Sequence, residues 1–311
     1  MSQRYEKFMS EIREGNLKVL DSGVSTELEK RGGAMGEGYW SARVSVEAFD
    51  LLVDTHKAYI DAGADIITVN SYATSRLVLG RTGNADQVEN INMKNIEAAL
   101  EARVQCGADN VLVAGSIAHQ VAWERDGDAF KQQIAIPVSY EELKIAFDEM
   151  IFFHEQGEVD VVLLEMMTIP NRMKVLFDCL SSSSLPVWCG FSAKQENEQA
   201  AITSWHDENV KFVDNIVMAK AYNFDMMGIM HSSVDVISDA ISLIQKNYSG
   251  PIMAYPDSGY FEPPNWQFQK VIAPEELFEF ALGWMHKGVA VIGGCCGLGP
   301  EHTQALAKLK L

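Results

Sequence analysis

Cys295 and Cys296 are adjacent, in a segment where the β-branched run Val289 to Ile292 passes through Gly293, Gly294 and Gly297 toward Pro300 and Glu301. Neighbouring side chains of a regular strand point to opposite faces, so two adjacent thiols share a face only where the backbone bends sharply. Flanking glycines permit that bend. A helix opening just beyond would also favour a thiolate through its dipole and free N–H groups. Three chemistries suit such a pair: metal ligation, a buried or redox-active dithiol, or a vicinal disulfide. A catalytic zinc takes three protein ligands and keeps a fourth position open, so ligation requires a third donor. His231, directly after the run Met226 to Met230, is the candidate, whereas Cys106, Cys179 and Cys189 fall in helix tails and a strand interior. A loop histidine or helix cap is the competing reading of His231.

The elements that would bring these residues together recur along the chain. Short apolar runs, each ended by a polar residue or glycine, span Leu17–Leu20, Ile66–Val69, Val111–Ala114, Val161–Leu164, Val187–Phe191, Met226–Ile229, Ile252–Ala254 and Val289–Ile292. Several lack polar alternation, as expected of strands buried on both faces. Between them lie helical patterns over Val46–Ala62, Asn84–Cys106, Tyr140–Gln156, Asn171–Leu180, Lys211–Tyr222, Val234–Lys246, Pro274–His286 and Glu301–Leu309. Glycine stops such as Gly63 and Gly107, and prolines with acids in the first turn, as at Pro274 and Pro300, mark their ends. Eight strand–helix alternations predict an α/β protein, a (β/α)8 TIM barrel forming a single domain over residues 1–311. A doubly wound open sheet is the alternative, but Asp21-Ser22-Gly23-Val24-Ser25 after the first run is no dinucleotide fingerprint. The long connection from Ser192 to Asp225, with Trp205, His206 and Asp207, reads as a lid or an extra helix.

Parallel barrel strands deliver their carboxyl ends to one mouth. The strand endings here are Asp21; Asn70, Ser71 and Tyr72; Gly115 and Ser116; Glu165; His231; Tyr255 and Asp257; and the cysteine pair. Caps and solvated loops would account for any one of them alone.

Composition narrows the partners. The 311 residues carry 25 Lys+Arg against 43 Asp+Glu, a net charge of −18, with no basic cluster to displace counterions, which argues against nucleic acid and anionic membranes. Five cysteines in a chain of this length form no disulfide framework. With no signal-like start and no apolar stretch of membrane length, a cytoplasmic setting is the expectation.

Several of these motifs together resemble the homocysteine S-methyltransferase family. Gly293 to Gly297 followed by Pro300-Glu301-His302 is similar to that family's closing element, and Tyr39-Trp40-Ser41-Ala42 to the segment after its first strand. Further similarities are Asp61 to Asp65 with Thr68 to Tyr72, Gly115-Ser116-Ile117, Glu165, and Tyr255 to Gly259. The resemblance implies a zinc-dependent barrel that transfers a methyl group from a cationic donor to a small-molecule thiol, homocysteine, giving methionine. It further implies that Asp21 and Glu165 position the amino-acid acceptor, with a carboxylate receiving its ammonium. Trp40 and Tyr72 match aromatic positions near the donor, where a cation would gain about 0.5–2 kcal/mol from a ring face. Asn70, Ser71, Ser116, Tyr255 and Asp257 would orient substrate or metal ligands.

The order Trp40-Ser41-Ala42 looks more like members that use S-methylmethionine or S-adenosylmethionine than those using betaine, and a stand-alone, cobalamin-independent enzyme is implied, as a monomer or small homo-oligomer. The family's zinc is held by three cysteines. Met230 and His231 stand here where the family has asparagine and the first cysteine. A His231, Cys295 and Cys296 set is still an ordinary Zn2+ site, but imidazole in place of thiolate leaves the metal more electron-poor. Segment Phe191 to Glu196 also departs from the family's loop. Another acceptor or donor, betaine included, and a non-catalytic metal-binding barrel are the alternatives.

Overall fold

The computed structural model describes residues 2–36, 38–122, 133–197, 199–261 and 267–310. Eight parallel strands form one sheet: β1 (Lys18–Val19), β2 (Ile66–Thr68), β3 (Leu112–Ala118), β4 (Val161–Met167), β5 (Val187–Phe191), β6 (Met226–Met230), β7 (Ile252–Tyr255) and β8 (Val289–Ile292). Their spatial order is β1-β8-β7-β6-β5-β4-β3-β2. The ends of that row meet through a parallel bridge between Leu20 and Ile66 and through Asp21 N–H donating to the Ile66 carbonyl at 2.9 Å. The sheet thus closes into the expected barrel.

Apart from the half-buried Lys18, Glu165 and Ala290, every residue of these strands is buried. In β4, Val162 and Leu164 pack outward among the helices, while Val161 and Leu163 join the interior layer. Helices Tyr140–Gln156 and Pro274–His286 occupy the spans that their sequence signals predict, the first opened by a capping box between Ser139 and Glu142. The helix expected over 46–62 is two helices, Val44–Glu47 and Phe49–Asp61, divided at Ala48, whose ψ of 60° is not helical. The pattern over 84–106 becomes a helix only from Val88, after two 3-10 turns. Among the described residues no helix is long and apolar enough to cross a membrane.

The sequence reading missed a helix at the amino-terminal end, Gln3–Arg13. Tyr5, Phe8, Met9 and Ile12 are buried at the i, i+3, i+4, i+7 spacing of one helical face. They close the barrel floor against Trp188, with ring centroids 6.3 Å from Tyr5 and 5.8 Å from Phe8. Trp188 Nε1 donates to the Tyr5 hydroxyl at 3.0 Å, and that hydroxyl donates to Asp225 Oδ2 at 2.8 Å. The polar atoms of two buried aromatics are thereby satisfied, and this end of the barrel is filled.

Candidate metal centre and active site

The opposite end holds a cavity of about 450 Å³ lined by the carboxyl ends of several strands. Three of its lining residues, Trp40, Met166 and His231, have positive φ, at 47°, 53° and 41°. Left-handed backbone at non-glycine residues costs of order 1–3 kcal/mol each and persists only where the surroundings enforce it. Each instance turns a side chain inward. The register of β4 against β5 skips between Leu164 and Met167, and this bulge lets the neighbours Glu165 and Met166 both line the cavity. At β8 the equivalent device is Gly297, at φ 82°, where a Cβ would lie 2.3 Å from the Ser258 carbonyl. The turn around it leaves both Cys295 and Cys296 on the cavity wall.

The donor atoms of His231, Cys295 and Cys296 lie within 4.8 Å of one another. His231 Nδ1 is 3.4 Å from Cys295 Sγ, and the two sulfurs are 3.9 Å apart. A tetrahedral zinc with bonds of about 2.3 Å to sulfur and about 2.0–2.1 Å to nitrogen would separate its donors by about 3.8 Å and about 3.6 Å respectively. The trio therefore fits such an ion. All five cysteines are free thiols, so the vicinal disulfide is not the form seen.

The electrostatics favour a shared-proton arrangement. The hydrogen bond between the sulfurs, with burial, holds the Cys295 thiol high, and the same bond, helped by His231, holds Cys296 well below the usual thiol range. Burial pulls the His231 ring down, but Asp257 and Cys296 together outweigh it and raise it to about 9. Burial pushes Asp21 and Glu165 up to about 7 each.

The other predicted residues separate into cavity wall and backing. Asp21 lines the wall, with its oxygens accepting from Thr68 N–H at 2.6 Å and Thr68 Oγ1 at 2.8 Å. Glu165 also lines it and accepts from Ser116 Oγ. Ser116 itself, like Ser71, is not on the wall: Ser71 Oγ donates to the Ser116 carbonyl at 2.8 Å, tying β2 to β3. Asn70 grips Ser41 twice, accepting from its Oγ at 2.8 Å and donating to its carbonyl at 3.0 Å, which holds the neighbouring Trp40 in place. Trp40 meets Tyr72 edge to face at 5.6 Å, and the Tyr72 hydroxyl donates to Met166 Sδ at 2.9 Å. Tyr255 lines the cavity with a buried hydroxyl that has no hydrogen-bond partner among the described residues.

Among its described residues the connection after β5 shows a two-stranded ribbon, Ala193–Lys194 with Thr203–Ser204, in place of an extra helix, followed by the helix expected over 211–222, which spans Phe212–Ala219. The ribbon delivers Trp205 edge-on to the His231 ring at 5.3 Å, and His206 to the wall, bonded to Thr168 Oγ1 at 2.6 Å. Gln120, Gln133, Met35 and Phe268 also line the cavity without having been singled out by sequence, and Met230, noted there only as a departure from the family, lines it too. Gln120 follows β3 closely enough to be inferred from strand-end logic; the others carry no local signal.

A barrel with three clustered soft donors at its mouth, able to hold a metal, defines the class: a (β/α)8 enzyme scaffold with a candidate metal site. The homocysteine S-methyltransferase family profile matches residues 18–309, and the chain belongs to that family of methyltransferases. It is 27% identical to homocysteine S-methyltransferase 2 of Arabidopsis thaliana, over 94% of this chain and 93% of the relative. It is likewise 27% identical to the selenocysteine Se-methyltransferase of Brassica oleracea var. italica, over 94% and 89%. The crystal structure of the metallated homocysteine methyltransferase MmuM from Escherichia coli superposes with a TM-score of 0.76 at 23% identity, covering 94% of this chain and 96% of that one, which supports the barrel fold.

Proposed function

We propose that residues 1–311 work as one domain that transfers a methyl group from a cationic donor, S-methylmethionine or S-adenosylmethionine, to the thiol of homocysteine, giving methionine. The observation that carries this reading is the meeting of His231, Cys295 and Cys296 in a cavity whose described lining includes Asp21, Glu165, Asp257 and several aromatics but no lysine or arginine. Such a lining favours a positively charged ligand. Zn2+ is the metal that the donor set suits, held by those three residues, and it would supply a Lewis acid that makes a thiol acidic near neutral pH.

The residues then have distinct tasks. Glu165, fixed through one oxygen by Ser116, and Asp21, fixed by Thr68, receive the acceptor's ammonium. An arriving cation would favour their ionised forms over the raised values that burial imposes. Trp40 and Tyr72, held by Asn70 and Met166, offer ring faces to the donor. Asn70, Ser71 and Ser116 thus act by holding these groups, while Tyr255 offers a hydroxyl and Asp257 a carboxylate at the wall. In the transfer, the acceptor thiol loses its proton, its sulfur forms the new bond to the methyl carbon, and the donor's carbon–sulfur bond breaks to release a neutral sulfide. The free thiols fit a cytoplasmic protein acting on small molecules, as a monomer or small homo-oligomer.

His231 in place of a thiolate favours a second reading of the acceptor, a selenol or another thiol that needs less activation. The test incubates zinc-loaded protein with homocysteine or selenocysteine and, separately, S-methylmethionine, S-adenosylmethionine and betaine, and follows methylated product. Methionine from homocysteine with either sulfonium donor is the expected result. Absence of methionine with every donor would overturn the homocysteine assignment, and product from selenocysteine alone would establish the second reading.

A further inference from the structure

We propose that Asp257 is a positioning residue for the metal centre, orienting the His231 ring and returning through it part of the negative charge that imidazole lacks relative to thiolate. The inference rests on the reading of His231, Cys295 and Cys296 as metal ligands.

The geometry points to it from two directions. His231 turns Nδ1 toward Cys295 Sγ, at 3.4 Å, and Nε2 toward Asp257 Oδ2, at 3.7 Å. An Nε2–H directed at a carboxylate leaves the Nδ1 lone pair for the metal, and a carboxylate behind a ligating imidazole both fixes the tautomer and raises the basicity of the ring. Trp205 packs edge-on against the same ring, and the His231 backbone is itself held at φ 41°, so the ring is constrained on several sides.

The second direction is the backbone that carries Asp257. The His231 N–H donates to the Tyr255 carbonyl at 3.1 Å. The Cys295 N–H donates to the Pro256 carbonyl at 2.8 Å, and the Ser258 N–H donates to the Cys296 carbonyl at 3.1 Å. Of the four consecutive residues 255–258 at and after the end of β7, three therefore bond the main chain of all three metal-ligand candidates, and the fourth, Asp257, turns its carboxylate toward the His231 ring. A shift of this segment would move every donor at once.

Charge gives the inference its discriminating test. With neutral imidazole as third donor, an adjacent carboxylate strengthens the site. With a third thiolate in that place, the same carboxylate faces a like charge and no longer helps. Asp257→Asn is nearly isosteric, so folding is little disturbed, and it is examined with His231 and with His231→Cys. The full-length chain is stripped of zinc and reloaded against a chromophoric chelator at fixed pH, and cobalt(II) is used to record the thiolate charge-transfer spectrum. Asp257→Asn is expected to weaken zinc binding about 10–100-fold and to shift the cobalt spectrum in the His231 protein. In the His231→Cys background the same change should leave affinity unaltered or improved.

A merely structural role for Asp257 would cost the same in both backgrounds, and that result would overturn the proposal, as would unchanged zinc affinity in the single variant. A parent chain that takes up no zinc would instead overturn the underlying metal site.

Discussion

The two ends of the barrel are built from the same strands and obey opposite rules. At the floor, Tyr5, Phe8, Met9 and Ile12 of the first helix pack on Trp188, and the polar atoms of Tyr5 and Trp188 are bonded. At the mouth, the backbone is left-handed at Trp40, Met166 and His231, burial raises the carboxyls of Asp21, Glu165 and Asp257, and the Tyr255 hydroxyl has no hydrogen-bond partner among the described residues. The floor supplies stability that the mouth gives up to hold chemical groups in costly states. Stability and activity are thus expected to respond to different residues, and each end offers a way to break that division.

The largest effect is expected from Cys296→Ser, which removes a thiolate from the centre. Zinc occupancy and methyl transfer should fall by at least about 100-fold, beyond the loss typical of groups that only support a ligand. The melting temperature of the metal-free variant should stay close to that of the metal-free parent. A large drop in that temperature would show that the cysteine turn also supports the fold.

Trp188→Ala tests the floor. Emptying a buried site of this size should cost about 3–5 kcal/mol in denaturant unfolding. Zinc affinity measured well below the unfolding transition should be unchanged, because the cavity lies at the other end of the strands. A matching loss of affinity would mean that the two ends are coupled through the barrel and would remove the comparison.

The smallest effect is a slope. Burial holds the Asp21 carboxyl at about 7, above its ordinary 3.8, so the folded state binds the extra proton between those values. The stability that Asp21 contributes is complete below its unfolded value and is lost as pH rises through about 7, at up to about 1.4 kcal/mol per pH unit. Asp21→Asn keeps an acceptor for Thr68 N–H and a partner for Thr68 Oγ1 while abolishing the titration. The difference in unfolding free energy between parent and variant should therefore drift against the parent from about pH 4 to 7, and equal slopes would contradict it. Trp188→Ala should leave this slope untouched.

Local sequence carried most of the barrel because the signals are local. The limits of Val187–Phe191, Val289–Ile292, Tyr140–Gln156 and Pro274–His286 are set by side-chain burial and by caps within a few residues. The first helix is equally legible, because Tyr5, Phe8, Met9 and Ile12 mark one apolar helical face. The break at Ala48 has no such local mark.

What the residues by themselves determined at the site is its inventory: glycines that let Cys295 and Cys296 share a face, a histidine at the end of β6, and acids and aromatics at other strand ends. Strand-end position follows from parallel topology, so it can be read along the chain. Which side chains face the cavity cannot, because that depends on bulges and left-handed residues whose enforcing contacts come from distant segments. Only the folded barrel puts Ser71 and Ser116 behind the wall, brings Met166 onto it, and lays Trp205 against His231. The same is true of Asp257, which lies 3.7 Å from His231 although 26 positions separate them: β6 and β7 are neighbours only once the sheet has formed.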